Sequence, residues 1–458
     1  MILQNWWYTT LLNTKVDFQP PLRGRLAADV AVVGGGIAGL HAALHLVRAG
    51  RKVVLLERNI CGGSSTGKSA GFLTPDSELE LSQLVRRYGV ENARKVWGIA
   101  EQGVKLIVDT IRTFNISCDL QPQDSLYVGI GASGAKAVAE EMESRAKVGL
   151  AATHYDQKSL PGINAGRGYT AAVRYGGTYG INAMLYAQEL KETLLGLGVK
   201  IFESAEVTAI NDHTITTHLG SVTADHIIVC IDKMPRDLHP IAEEVYHAQT
   251  FLSITEPLDD HDIDGLFPGP DKNLMCWDSF LIYSYYRLTG DRRLLLGGGS
   301  AVTTFLPKDI TVANVINSVI ADFKNRFPAL AHIMFIQYWP GRIDTTKDLI
   351  PIVDFDPVQP HLQFVLGCVG LPWAAFCGYY AARRLLEPSF CHEYCNYLKI
   401  ARRYFIPRWL QGVIGKTATF SINNAYSKYW QSDANGGHPN QHDAAPAMDK
   451  KTAMMKKT

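Results

Sequence analysis

The sequence has little of anything that would announce a specialised partner or compartment. Lys plus Arg (45) and Asp plus Glu (44) almost cancel, so no bulk field draws the chain to nucleic acid, and no nucleic-acid partner is expected. The eight cysteines (61, 118, 230, 276, 368, 377, 391 and 395) are scattered without paired metal-ligand spacing, which argues against a disulfide framework or a zinc module and suits reduced thiols in a cytoplasmic protein. Cys391-His392 and Cys395 come nearest to a metal motif, but a structural zinc site needs four ligands and no second pair lies nearby; no metal is expected. Residues 1–14 lack the basic start and small-residue cleavage site of a secretory signal, so export is not expected. Residues 364–382 are nearly free of charge, yet Gly367, Gly370, Pro372 and Gly378 interrupt them, which favours a buried strand-turn-helix over a membrane span. Beyond Asp433 periodicity is missing altogether, and a disordered tail is expected at 433–458.

What the sequence does have is an α/β signature near its start. Asp29 to Val33 is a short apolar run ending in Gly34-Gly35-Gly36-Ile37-Ala38-Gly39. Leu40 to Ala49 follows with helical periodicity and stops at Gly50, and Val53 to Leu56 forms a second strand. In such a unit Gly34 permits the tight turn, Gly36 lets backbone approach a pyrophosphate, and Gly39 lets helix and strand pack closely. The first helical N–H groups, at Ile37 and Ala38, point with the helix dipole at the phosphates. Glu57 closes the second strand eighteen residues after Gly39, where a carboxylate accepts hydrogen bonds from ribose hydroxyls and repels a 2′-phosphate. The pattern points to FAD or NAD rather than NADP, an exclusion that the adjacent Arg58 weakens slightly.

Gly62 to Ser69 (Gly-Gly-Ser-Ser-Thr-Gly-Lys-Ser) is a literal P-loop match. A working P-loop joins a strand directly to a long helix. Here Arg58 to Cys61 intervene and Ala70 to Pro75 continue as a poor helix, so nucleoside triphosphate hydrolysis is the weaker reading.

Farther along, residues 84–113, 135–148 and 182–196 read as helices, and 199–202 and 224–231 as strands. The aromatic-rich stretches between 245 and 305, among them Phe280 to Tyr283 and Arg293 to Leu296, read as a second, mostly antiparallel sheet. Leu362 to Leu366 leads through Gly367-Cys368-Val369-Gly370 into a helix from about Ala374 to Leu386.

On these motifs, and on Asn5-Trp6-Trp7-Tyr8, Tyr285-Tyr286-Arg287-Leu288 and Trp339 to Thr346, the chain resembles the FAD-dependent glycine/D-amino-acid oxidase superfamily, and within it the gamma-glutamylputrescine oxidoreductase-like branch. The resemblance spans roughly residues 5 to 390. It implies a Rossmann-type FAD-binding domain (1–80, 160–235 and 336–390) interleaved with an α+β substrate domain (81–159 and 236–335). It implies that Ser64, Ser65, Ser69, Ala70 and Gly71 lie against the cofactor, with Val207, Gly341, Gly370, Leu371 and Pro372. Two stretches depart from the family pattern: Cys230-Ile231-Asp232 replaces Ala-Thr-Gly, and Leu371-Pro372-Trp373 replaces a small stretch containing Gly and His.

The implied activity is hydride transfer from a carbon bearing an amine to flavin, hydrolysis of the imine, and reoxidation by oxygen or a quinone. A non-catalytic FAD- or nucleotide-binding protein is the alternative. Lys68 is a candidate to stabilise charge on the flavin, and Arg342 or Arg287 to bind a substrate carboxylate. Tyr283, Tyr285 and Trp373 are candidates for an aromatic wall. No Cys occurs in 339–352 and no His in 62–72, the positions used by covalent relatives, so dissociable FAD is expected.

Residues 394–432 carry six basic residues (Lys399, Arg402, Arg403, Arg408, Lys416, Lys428), nine aromatic rings and no acid. This basic extension fits either peripheral contact with an anionic membrane on its cytoplasmic face or a packed helical extension.

Overall fold

The computed structural model describes residues 1–76, 78–300, 310–392, 394–402, 406 and 408–427. The expected tail at 433–458 lies outside the described residues, as do Arg403, Tyr404, Phe405 and Lys428; so do the side chains of Cys391, His392, Cys395, Arg408 and Trp409.

The apolar runs at the start build one sheet. Val30 to Val33 and Val53 to Leu56 are buried on both faces, which is why they read as continuous rather than alternating runs. Strands Lys200–Phe202, Val53–Leu56, Gly24–Val33, Gly220–Val229 and Leu362–Leu366 lie side by side and parallel. The antiparallel strands Thr214–Thr217, Val207–Asn211 and Ile352–Phe355 complete the eight. Helices Ile37–Arg48 and Leu371–Leu386 pack against each other over this sheet.

A nine-stranded sheet forms the second layer, in the order Ile2–Leu3, Phe335–Thr346, Val245–Pro257, Arg293–Gly298, Tyr285–Leu288, Leu274–Asp278, Asp124–Ile130, Tyr169–Tyr175 and Thr153–Asp156. Its pairings are antiparallel except at Ile2–Leu3 with Phe335–Thr346 and at Leu274–Asp278 with Asp124–Ile130. Three of its strands, Ile2–Leu3, Tyr169–Tyr175 and Phe335–Thr346, fall in segments that the sequence division gives to the nucleotide-binding domain. Helix Leu81–Phe114 packs against helices Leu371–Leu386 and Gly131–Lys147. Its first turn closes a capping box, Glu80 with Gln83, and it kinks at Gly89 (φ 74°).

One stretch differs from the sequence reading. Phe280 to Tyr283, expected to be strand-like, is a loop, and the strand starts at Tyr285. The Asp278 carboxylate accepts from the Phe280 N–H at 2.9 Å and the Ser284 N–H at 3.1 Å, so a local side-chain turn takes the hydrogen bonds a ladder would use. Phe280 and Leu281 stand exposed at its tip.

The C-terminal extension is tied to the body where it is described. Tyr394 and Leu398 are buried in the main core. Arg402 forms a fork on Asp348, at 2.8 and 2.7 Å, and donates to Pro351 O at 2.9 Å. Lys416 pairs with Glu243 at 3.4 Å, and Phe420 stacks on Tyr246.

Candidate active site

A long groove opens at the carboxyl ends of the parallel strands, where ligands bind in open α/β sheets. Gly34, Gly36, Ile37 and Ala38 line it at the first turn, Glu57 and Arg58 at the end of the second strand, and Val207 beyond them. Ser64, Ser65 and Ser69 form another side, and Gly370 with Leu371 closes the far end. A second cavity continues from there, sharing Ser65, Ser69, Ile343, Gly370 and Leu371 with the first and adding Ala70, Gly71, Gly341 and Pro372. Segments predicted from separate parts of the sequence thus meet along one continuous space. Gly39 lines neither cavity.

The glycines explain the shape of the first turn. A Cβ on Gly39 would stand 1.9 Å from Gly34 O, so only glycine lets this helix sit so close to its strand. A Cβ on Gly36 would meet nothing nearer than Thr66 Oγ1 at 3.5 Å. The space in front of Gly36 is open, as a backbone that must approach an anion requires. Gly36 is also the N-cap of helix Ile37–Arg48 and brings no capping side chain, while the Ile37 N–H donates to Thr66 Oγ1 at 3.2 Å.

Glu57 accepts from the Gly35 N–H at 2.7 Å and the Asn59 N–H at 2.8 Å. Burial raises its pKa, against the pull of those two N–H groups. Asp232, noted in the sequence only as a departure, turns out to lie in the groove. It accepts from Ser64 Oγ at 2.9 Å and from Ser65 Oγ, and Lys233 Nζ approaches to 3.4 Å. Burial works to raise its pKa, but Lys233 and the serine hydroxyls outweigh it and hold the carboxyl below its ordinary value.

The second cavity holds groups that sequence reasoning missed. Asp76, Glu78, Thr250 and Trp277 line it with Lys68, Tyr283, Tyr285 and Arg342. Tyr283 and Tyr285 stand with ring centroids 5.6 Å apart. Tyr283 OH donates to Glu78 at 3.3 Å, and Tyr175 OH donates to Asp76 at 2.9 Å. Burial pushes Glu78 up to about 7 and raises Asp76 as well. Burial likewise takes the Tyr285 hydroxyl to about 12, so it stays protonated at neutral pH. No local motif marks Asp76 or Glu78; they line one cavity with Trp277 only because distant segments pack together.

Two candidates are displaced. Trp373 lines neither cavity: its indole is buried in the main core, and Leu371 and Pro372 occupy the wall instead. Successive helical residues turn by about 100°, which carries Trp373 away from the face that its two predecessors present. Arg287 is fully buried and spends its donors on main-chain carbonyls, Ala70 O at 2.8 Å, Leu288 O at 3.1 Å and Ile181 O at 2.6 Å. It fastens the 70–71 turn to the second sheet and is not placed to meet a substrate carboxylate.

The P-loop reading fails on local structure. Thr66–Lys68 is a single 3-10 turn followed by the two-residue strand Phe72–Leu73, with no long helix whose N-terminus could hold a triphosphate.

Residues 29–384 match the DAO family, described as FAD dependent oxidoreductase. The match covers well over half the chain. The chain belongs to the DAO family of FAD-dependent oxidoreductases. Gamma-glutamylputrescine oxidoreductase of Escherichia coli K12 is 28% identical over 392 residues, covering 83% of this chain and 88% of that protein. Probable oxidoreductase OrdL of Haemophilus influenzae is 27% identical over 365 residues, covering 77% and 81%. Among solved structures, glycine oxidase from Geobacillus kaustophilus superposes with a TM-score of 0.68 at 17% identity, covering 79% of this chain and 95% of that one. An L-amino acid deaminase from Proteus myxofaciens gives 0.65 at 13%, covering 81% and 93%. At such identities the structures share the fold.

The groove fits the cofactor that the DAO family uses. The open approach at Gly36, a helix start whose N-cap brings no side chain, the half-buried carboxylate of Glu57 and a continuous path to Gly370 are what a dinucleotide of this length needs. Among the described residues no helix is long and apolar enough to cross a membrane.

Proposed function

We propose that this oxidoreductase removes two electrons from a primary or secondary amine or an amino acid, at the carbon that bears the nitrogen, and that water then hydrolyses the imine. Bound FAD supplies the two-electron acceptor, and oxygen or a quinone restores it. The observation that carries the reading is the lining of the second cavity: two carboxylates, Asp76 and Glu78, beside Trp277, Tyr283 and Tyr285. An ammonium group is attracted both by carboxylates and by aromatic faces, and the names of the relatives point the same way.

In this reading Gly34, Gly36, Ile37, Ala38, Glu57 and Val207 hold the adenosine diphosphate half, while Ser64, Ser65 and Ser69 hold the middle. Ala70, Gly71, Gly341, Gly370, Leu371 and Pro372 wall the reacting end. Tyr285 orients the amine, Lys68 favours negative charge at the reacting end, and Arg342 receives the carboxylate of an amino-acid substrate. The FAD is dissociable, because the positions used for covalent attachment carry neither Cys nor His. The engagement of Arg402 and Lys416 with the body favours a packed extension over a membrane-facing one.

The test has two stages. A visible spectrum of the purified protein with flavin bands, lost to the filtrate after denaturation, establishes dissociable FAD. Anaerobic bleaching of that spectrum by members of an amine and amino-acid panel then supports the reading. A flavin-loaded protein that no panel member bleaches overturns it and leaves the non-catalytic alternative.

A further inference from the structure

Outside the two cavities, three side chains from two segments converge at one edge of the parallel sheet. Asp212 and His213 form the turn between strands Val207–Asn211 and Thr214–Thr217, and His361 precedes strand Leu362–Leu366. The carboxylate oxygen and the two ring nitrogens lie within 4.8 Å of one another. Asp212 Oδ1 is 3.6 Å from His361 Nε2 and 4.0 Å from His213 Nε2, both beyond hydrogen-bond length. We propose that Asp212, His213 and His361 bind one divalent transition-metal cation of the zinc class, clipping the 207–217 hairpin to the start of the 362–366 strand.

Three observations support it. First, four-coordinate bonds of about 2.0–2.1 Å put neighbouring donor atoms roughly 3.3 Å apart, so the gaps of 3.6 and 4.0 Å from Asp212 and the span of at most 4.8 Å between the rings close with side-chain movement alone. The imidazoles, stacked at 4.0 Å, must splay somewhat to converge on one ion. Second, His213 Nδ1 lies 2.8 Å from Ala224 O. A carbonyl there can only accept, so Nδ1 keeps its proton and donates, which leaves Nε2 as a lone-pair donor, the arrangement that orients metal-binding histidines. Third, His361 Nε2 is buried without a hydrogen-bond partner, a cost that coordination would remove. His226, whose Nδ1 is likewise buried and unpartnered, stands beside His361 in register, since Ile227 pairs with Leu362.

A set of two imidazoles and one carboxylate is one that zinc takes, with a water in the fourth position. The site is separate from the flavin groove, so flavin content reports folding independently of metal.

The test uses full-length, flavin-loaded protein without a histidine tag, stripped with EDTA and titrated with ZnCl₂ by equilibrium dialysis. The expected result is one Zn²⁺ per chain at micromolar free metal, with affinity falling at least tenfold in both His213→Ala and His361→Gln while flavin content stays at the wild-type level. His213 is in a surface turn, so its variant folds even if the other does not. No binding at 100-fold excess, or unchanged binding in folded His213→Ala, overturns the proposal.

Discussion

Glu78 sits in the wall of the inner cavity with the Tyr283 hydroxyl 3.3 Å away, and burial lifts its pKa to about 7. The shift has two consequences of opposite character. For stability, a carboxyl whose folded pKa exceeds its unfolded value contributes fully below the unfolded pKa, and the contribution is lost as pH rises through about 7. For binding, only the ionised form attracts an ammonium group. If the amine reading is right, KM for an amine should rise about tenfold between pH 8 and pH 6 as the ionised fraction falls from about 0.9 to about 0.1. Glu78→Gln should remove that rise while weakening binding at pH 8. Steady-state kinetics across that range, with substrate ionisation corrected, check it; a wild-type profile in the variant rules Glu78 out. Gly34, Gly36, Gly39 and Glu57 were legible in the sequence because one short strand-helix-strand unit holds them all. Glu78, Asp76 and Asp232 were not, because their roles depend on contacts between segments far apart in the chain.

At the scale of elements, the turn after strand Phe335–Thr346 shows how the extension past the DAO match serves the site. Arg402 grips Asp348 by two hydrogen bonds, and Arg87 Nη1 donates to Asp348 O. The same turn abuts Gly367, where a Cβ would meet Thr346 Cγ2 at 2.7 Å, and Gly367 lines the groove. Arg402→Ala removes the charged partner of the part-buried Asp348, which keeps only the Thr346 hydroxyl and the Ile350 N–H, and should cost about 2 kcal/mol or more, read from urea denaturation. Burial opposes ionisation of Asp348, but Arg402 wins and depresses its pKa. Its contribution is therefore present above the ordinary carboxylate range and lost as pH falls through the depressed value, so the difference between wild type and variant should shrink in acid. The helices and parallel strands were readable from periodicity and burial. The Phe280 to Tyr283 loop was not, because its apolar composition matches a strand and only the Asp278 carboxylate diverts it. Trp373 was misplaced for a related reason: the segment was correct, and the face was set by helix rotation.

For the whole molecule, the groove draws on residues from Val33 to Ala374 and from both sheets, so the cofactor bridges structure that is remote in sequence. A ligand bound only to the folded state stabilises by RT ln(1 + [L]/Kd), about 2.7 kcal/mol at a hundredfold excess over Kd. Flavin-stripped protein titrated with FAD should show a melting temperature that climbs steadily with the logarithm of FAD concentration, by several degrees over that range. Because the binding residues are spread across the layers, the shift should appear alike in a probe of the parallel sheet and in Trp277 or Trp339 of the second. Gly39→Ala, which forces helix Ile37–Arg48 off its strand, should abolish the climb. A folded Gly39→Ala protein that still responds to FAD would show that the close packing at Gly34 is structural and that the cofactor is held elsewhere in the groove.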